Sequence, residues 1–474
     1  EMDASWKLLL LNQFHDILPG SSIGPVYEKA RSDHRRVQQT AGAVVRDALA
    51  ALAQGEGVTA FNSLSFARSC LIPLPEAFAN GALTQEGERL AVQRTAAGLV
   101  ALVELPPCGT RSLLPAPPAS PAHPAKGARA SLLPGGGALL ENELVCAQFN
   151  DRAELVSFRL LSSGREFAAG PMNRLAVYKD VPRLFDAWDI DSNYALQPVA
   201  LQEPVELSLQ ETGGLVASLR VRRRLLDSSL EQEIRLEAGS PRLDFVTHVE
   251  WRELHRLLKV CFPVDVQAAE GYNEIQYGYL ARPTHRSRPY DSDRFEVCNQ
   301  RYSALCDASH GAAVLNDCKY GISMNGNELQ LSLLRASASP EMRADNGSHD
   351  FTYAFTAWEG DFLHSPVVDQ AYCLNVPPQL APGFRPPLSA FGLSAPNVYI
   401  DAVKPAEDGS GDIVLRLYEA KRADTHCQLR LGLDAKAVWL CDLLENKQQP
   451  LQPVDGQYPL HFHTFEVKTL RLCR

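Results

Sequence analysis

The hydrophobic period of this chain changes at Gln54-Gly55-Glu56-Gly57, and that change constrains the fold more than any other feature. Before it, Val26, Ala30, Val37, Ala41, Val44, Ala48, Leu49 and Leu52 recur at intervals of three and four, with one longer gap at Asp33-His34. Such spacing marks one apolar stripe on a helix. Pro25 suits the first turn, where its missing N–H has no partner to lose. Trp6 to Phe14 is leucine-rich and reads as the end of an earlier helix, stopped by Pro19-Gly20. Two such helices cannot bury their apolar faces alone, so residues 1–56 are expected to be the end of a helical bundle whose partners precede Glu1.

After Gly57 the period moves towards two, in short runs separated by Pro, Asn and Gly. The expected fold class is therefore mainly β, with antiparallel β-sandwich domains preceded by the end of an α-helical bundle. Residues 57–113 read as a small β domain, and 114–137, rich in Pro, Gly and Ala, as a linker. Residues 138–375 carry many strand-like runs at sandwich spacing, and 376–474 form a last β domain behind a second Pro-rich stretch. A chain of 474 residues exceeds what one core supports, which agrees with this division.

Charge and cysteine usage narrow the function. The net charge is −10, and the densest basic run, Arg220-Val221-Arg222-Arg223-Arg224, puts Arg220, Arg222 and Arg224 on one strand face, expected to pair with acidic neighbours. Nucleic acid is not an expected partner. The longest aliphatic run, Leu8 to Leu11, falls far short of the roughly 20 residues of a membrane helix. Eleven scattered cysteines with no Cys-x-x-Cys give no disulfide framework and no structural zinc. Cys70, Cys261, Cys318 and Cys441 sit among or beside apolar residues and read as buried thiols, so a cytoplasmic location is expected.

The most chemically suggestive spot is Leu11-Asn12-Gln13-Phe14-His15-Asp16-Ile17-Leu18-Pro19-Gly20. A neutral imidazole can ligate a metal, and a neighbouring carboxylate can accept hydrogen bonds from sugar hydroxyls. A histidine at a helix end can equally be structural. This stretch resembles the His-Asp motif of glycoside hydrolase family 38, the α-mannosidases. Further stretches are similar to the bacterial and cytosolic branch of that family: Phe61-Asn62-Ser63-Leu64-Ser65, Tyr178 to Asp191, Trp251-Arg252-Glu253 with Leu258-Lys259, Phe295-Glu296-Val297, Asn316 to Gly321, and Leu331 to Arg335. Phe14 departs from the Golgi and lysosomal branch, which places a second histidine there.

The resemblance implies that His15 is a metal ligand and Asp16 a substrate contact. It implies one divalent ion, Zn or Co, in the intact enzyme, and a retaining mechanism with an aspartate nucleophile. That nucleophile is expected upstream of Glu1, so no catalytic residue is assigned within the chain. One ligand cannot make a catalytic metal site, which needs about three, and glycoside hydrolysis needs two carboxyl groups. With no initiator Met and fourteen residues before His15, the chain is expected to be a carboxy-terminal piece, inactive alone. Implied partners are α-mannosides or mannose-containing oligosaccharides and the upstream catalytic domain of the same polypeptide; self-association is left open. The alternative is a non-catalytic carbohydrate-binding or assembly module, and a mutarotase-like sandwich enzyme would need a carboxylate pair within 138–374.

Other spots have plainer readings. In Phe185-Asp186-Ala187-Trp188-Asp189-Ile190-Asp191 a sugar-binding edge competes with a buried Trp flanked by turn-capping aspartates, the latter favoured. Trp251 to Arg256 reads as an internal salt-bridge network. His461 and His463 share one strand face but show no third ligand, so they read as surface histidines. Asn346-Gly347-Ser348 reads as a turn rather than a glycosylation site.

Overall fold

The computed structural model describes residues 1–118 and 127–474. It is mainly antiparallel β, with a short helical part at its start. Helix α1 (Met2–Leu11) ends where the Asn12 amide turns back to donate to Leu8 O (2.9 Å). Helix α2 (Gly24–Leu52) starts with Pro25 in its first turn, and at 1.5 Å per residue its 29 residues span about 44 Å. The two helices meet through a polar contact, Asn12 Nδ2 donating to Asp33 Oδ2 (3.4 Å), and within α2 Lys29 pairs with the same Asp33 carboxylate. The apolar stripe of α2 is not buried within this chain. Ala30 is covered, but Val44, Ala48 and Leu52 stay exposed, because the second half of α2 meets little beyond strand Gln379–Phe384.

Residues 57–113 and the start of the last segment build one unit. A six-stranded sheet places Gln379–Phe384 beside Gln54–Asn62, then Gly109–Pro115, Ala82–Thr84 and Arg89–Leu90, with Leu388–Ser389 also paired to Gly109–Pro115. A three-stranded sheet, Arg68–Leu74, Gly98–Leu105 and Val92–Thr95, packs over it through Ile72, Ala101 and Val103 against Val58, Ala60 and Leu113. The Pro-rich stretch after 376 thus supplies an edge strand as well as a connection. Within 114–137, read above as linker, Ala128–Leu132 is a strand paired to Ala138–Glu141 and to Gly213-Gly214. Small Ala128 and Ala130 alternate with Arg129 and Ser131, a period-two pattern too short to stand out among prolines and glycines. Within that stretch, 119–126 lie outside the described residues.

The large sandwich packs a thirteen-stranded sheet on a six-stranded one. Its central strands, Val216–Leu225, Ser228–Glu237, Leu243–Trp251 and Gly347–Glu359, run antiparallel and adjacent, while Arg256–Pro263 and Glu328–Leu334 centre the facing sheet. Leu219, Ile234 and Phe245 meet Val260, Phe262 and Leu331 in the core, as expected where two sheets bury alternate residues. Phe262 stacks on Phe355 (5.5 Å), and the buried Tyr353 hydroxyl donates to Asn173 Oδ1 (2.6 Å) and accepts from Gln232 Nε2 (2.8 Å). Gly311 has no alternative residue here, since an added Cβ would lie 2.2 Å from Trp358 Cζ2.

The last domain packs a five-stranded sheet, ordered from Val398–Pro405 to Lys447–Leu451, against Phe391–Leu393, Thr425–Leu431 and Tyr458–Phe462. Aromatic residues Tyr302, Phe362, Tyr372, Tyr399 and Tyr418 join it to the large sandwich. Among the described residues no helix is long and apolar enough to cross a membrane. Arg220 and Arg222 both pair with Glu231, as expected for a solvated face. All eleven cysteines are free; Cys318, expected buried, is exposed because it lies in the turn beside Asp317 rather than on a strand.

Candidate functional site

Three residues beyond the end of α1 the chain folds into consecutive turns that present His15 and Asp16. Ile17 and Leu18 donate to Phe14 O (2.9 and 3.1 Å), and Ser21 N donates to Asp16 O (3.2 Å). The closing turn needs φ +77° at Gly20, a left-handed conformation that glycine takes without strain. His15 Nε2 lies 3.4 Å from Asp16 Oδ2, while the buried Ser21 hydroxyl donates to the other carboxylate oxygen (3.2 Å). The imidazole side chain is 66% exposed and packs on the Phe14 ring at a tilt of 45°, so its nitrogens are accessible.

The rest of the molecule adds acidic groups around this turn. Ser22 N–H donates to the Tyr27 hydroxyl (2.6 Å). Burial pushes the Tyr27 phenol up, and the nearby charges of Asp345, Glu341 and Asp16 push it further. Gly24 lies against Glu341: a Cβ there would sit 2.4 Å from Glu341 Oε2. Tyr27, Glu341 and Asp345 were not singled out in the sequence, since nothing local ties residues 341–345 to residues 15–27. Asp345 is itself held up by burial, offset in part by His349, Lys319 and Arg335.

Arg335 connects this acidic patch to the aromatic loop. Its Nε donates to the buried Asp180 carboxylate (2.7 Å), and its Nη groups reach the carbonyls of Asp186 (3.2 Å), Ala187 (3.3 Å) and Asp189 (2.7 Å). Asp186 accepts from Ala338 N (2.7 Å) and lies 3.0 Å from His255 Nε2. Burial alone would raise the Asp186 carboxyl, but these donors hold it below the usual range. The loop has no buried tryptophan. Trp188 is 62% and Phe185 71% exposed, because the guanidinium claims the loop backbone and turns the rings outward. Behind the loop, fully buried Lys259 pairs with Glu296, which also accepts from Tyr194 OH (2.7 Å).

Two further expectations change. Trp251 to Arg256 is not an internal ion-pair network: Glu253 accepts from Ser228 Oγ (2.6 Å) and Asp227 N (3.0 Å), and His255 faces Asp186. His461 lies on strand Tyr458–Phe462 and His463 one residue past its end, and the register sets His426 opposite His461 with Asp424 beside His461 and His463. The signal was the shared i, i+2 spacing of Asp424/His426 and His461/His463, which becomes meaningful only when the two strands are known to pair.

This geometry can be set beside known proteins. Residues 1–52 match the α-mannosidase middle domain, 140–343 the glycosyl hydrolases family 38 C-terminal domain, and 397–470 the family 38 C-terminal β-sandwich domain. The chain is 36% identical to alpha-mannosidase 2C1 of Homo sapiens and 29% identical to alpha-mannosidase G of Dictyostelium discoideum, each over 98% of its length. It spans 45% and 47% of those two relatives, about half their length. An alpha-mannosidase from Enterococcus faecalis V583 shares the fold, with a TM-score of 0.78 at 15% identity, covering 99% of this chain and 63% of that one. With middle and C-terminal domains matched in order across these lengths, the chain belongs to glycoside hydrolase family 38 and corresponds to the C-terminal half of its α-mannosidases.

Proposed function

We propose that the intact polypeptide is a metal-dependent, retaining α-mannosidase acting on terminal α-mannosides, and that this chain supplies one metal ligand, His15, and one sugar contact, Asp16. The observation that carries the reading is the accessible imidazole of His15 beside Asp16, on a turn fixed by its own backbone and by Ser21. The donor set fits part of a divalent site: one neutral nitrogen and one carboxylate, with about two further ligands required from elsewhere. A bound Zn or Co ion would supply electrostatic stabilisation of charge developing at the sugar.

What the chain's own residues do follows from their positions. Ser21 holds one Asp16 oxygen, leaving the other to His15 or to an incoming hydroxyl. Glu341 and Asp345 add negative potential next to the turn, favouring a cation there. The carboxylate nucleophile, its partner acid and the remaining ligands belong to the upstream catalytic domain in this reading, so the 474-residue chain alone should not hydrolyse an aryl α-mannoside. A cytoplasmic location agrees with eleven free cysteines.

The test uses the intact polypeptide. His15→Ala should lower metal content and activity together with little change in fold. Asp16→Asn should retain metal but raise KM, since a neutral amide is a poorer hydroxyl acceptor than a carboxylate. Full activity with unchanged metal affinity in His15→Ala refutes the reading. The exposed Phe185 and Trp188 favour a second reading, in which the sandwich binds mannosides by itself; mannoside binding by this chain, lost in Trp188→Ala and intact in His15→Ala, would support it.

A further inference from the structure

In the last domain, strands Thr425–Leu431 and Tyr458–Phe462 pair antiparallel with His426 opposite His461. Period-two alternation turns Cys427 and Phe462 into the core and leaves His426 and His461 on the outer face, with Asp424 and His463 one residue beyond the strand ends and also exposed. There the Asp424 carboxylate sits between two imidazoles, with Oδ1 2.8 Å from His461 Nε2 and Oδ2 3.1 Å from His463 Nδ1. The His426 and His461 rings stack at 4.6 Å, and His461 meets His463 edge-on at 4.8 Å. One ligand atom each from Asp424, His426 and His461 lies within 4.8 Å of the others.

We propose that Asp424, His426 and His461, with His463 held against the Asp424 carboxylate, form a binding site for one divalent transition-metal ion of the Zn2+ class, separate from the His15 turn. Two imidazoles and a carboxylate match the nitrogen and oxygen donors that Zn2+ takes in four-coordinate geometry with one position left open, and they do not suit the all-oxygen preference of Ca2+ and Mg2+. Zn2+ bonds of about 2.0 Å place tetrahedral donors about 3.3 Å apart. The observed spread thus calls for side-chain movements on the order of 1 Å, which exposed rotamers allow while the backbone register stays fixed.

The site also has a structural use and an open side. Tyr458–Phe462 is the outer strand of its three-stranded sheet, so an ion held by His426 and His461 ties an edge to its neighbour. His426 and Asp424 also border a cleft of about 660 Å³ lined by His364, Asp369, Asn397 and Lys421, which leaves a coordination position accessible to a small ligand. A consequence for the intact polypeptide is that metal content would count two sites, so loss at one is read against binding at the other.

The test is calorimetric titration of the chelator-treated 474-residue chain with Zn2+ at neutral pH, paired with the visible spectrum of the Co2+-loaded protein. The expected result is one saturable equivalent bound by this patch, with Co2+ bands of four-coordinate intensity. His426→Ala and His461→Ala should each weaken it by roughly tenfold or more, since loss of an outer hydrogen-bond partner alone costs that much in known sites. The double variant should abolish it, and His15→Ala should leave it unchanged. All four side chains lie at the surface, so far-UV circular dichroism of each variant should match the parent. Absence of stoichiometric Zn2+ binding, or binding that survives in the double variant on thiols or elsewhere, overturns the proposal. Loss of that binding in His15→Ala overturns it as well.

Discussion

Replacing Arg335 should release the aromatic loop from the sandwich. The guanidinium pairs with Asp180, whose side chain is 2% exposed, and removing one partner of a buried pair costs about 3 kcal/mol. Its bonds to the carbonyls of Asp186, Ala187 and Asp189 are nearer solvent, and water restores part of them, so together they add about 1 kcal/mol. Arg335→Ala should then cost about 3 kcal/mol of overall stability through Asp180 and weaken the closed loop by about 1 kcal/mol, raising its open population roughly fivefold at 1.4 kcal/mol per decade. Arg335→Lys keeps a charge for Asp180 but not the planar fork, and should fall between.

Limited chymotrypsin digestion reads this directly, because cleavage after Phe185 or Trp188 follows the open population when closing is faster than cutting. Fragments ending in this loop should appear first, faster in Arg335→Ala than in Arg335→Lys, and faster in both than in the parent. Equal cleavage rates in Arg335→Ala and the parent, with an unchanged urea midpoint, would refute the claim that the guanidinium holds the loop.

Other expectations concern acid, packing and thiols. Because the folded Asp186 carboxyl is depressed, the stability it lends is complete above its unfolded pKa near about 4 and lost as pH falls through its folded value. Acrylamide quenching assigned to Trp188 by comparison with Trp188→Phe should therefore rise below about pH 4, and Asp186→Asn should remove that transition. Trp251 is buried and donates to Arg335 O (2.8 Å), so Trp251→Ala should cost about 4 kcal/mol in urea denaturation; a loss below about 1 kcal/mol would contradict the packing. A disulfide-forming thiol reagent at pH 8 should reach Cys298 first. Cys318 should lag although its residue is exposed, since burial of the sulfur and Asp317 push its thiol up to about 12. Burial does the same to Cys70, Cys108 and Cys261, which should react only on unfolding.

Local pattern carried a great deal of this protein. The spacing of Val26 to Leu52 and the Pro25 start place α2 to within a residue or two, and the period-two runs after Gly57 place the central sandwich strands, because side-chain direction is a local property of backbone geometry. The His15-Asp16 turn was legible for the same reason, its stop being written in Pro19-Gly20. What needed the tertiary structure were the residues brought together across long separations. Glu341 comes up against Gly24, Arg335 reaches Asp180, and Gln379–Phe384 crosses back to Gln54–Asn62, each through contacts that no local period encodes. Average hydrophobicity predicts a buried Trp188, whereas the structure exposes it on a loop whose backbone one guanidinium holds. Asp424 and His426 gained meaning only when strand register set them against His461 and His463, since a one-residue slip would have sent the facing pair into the core.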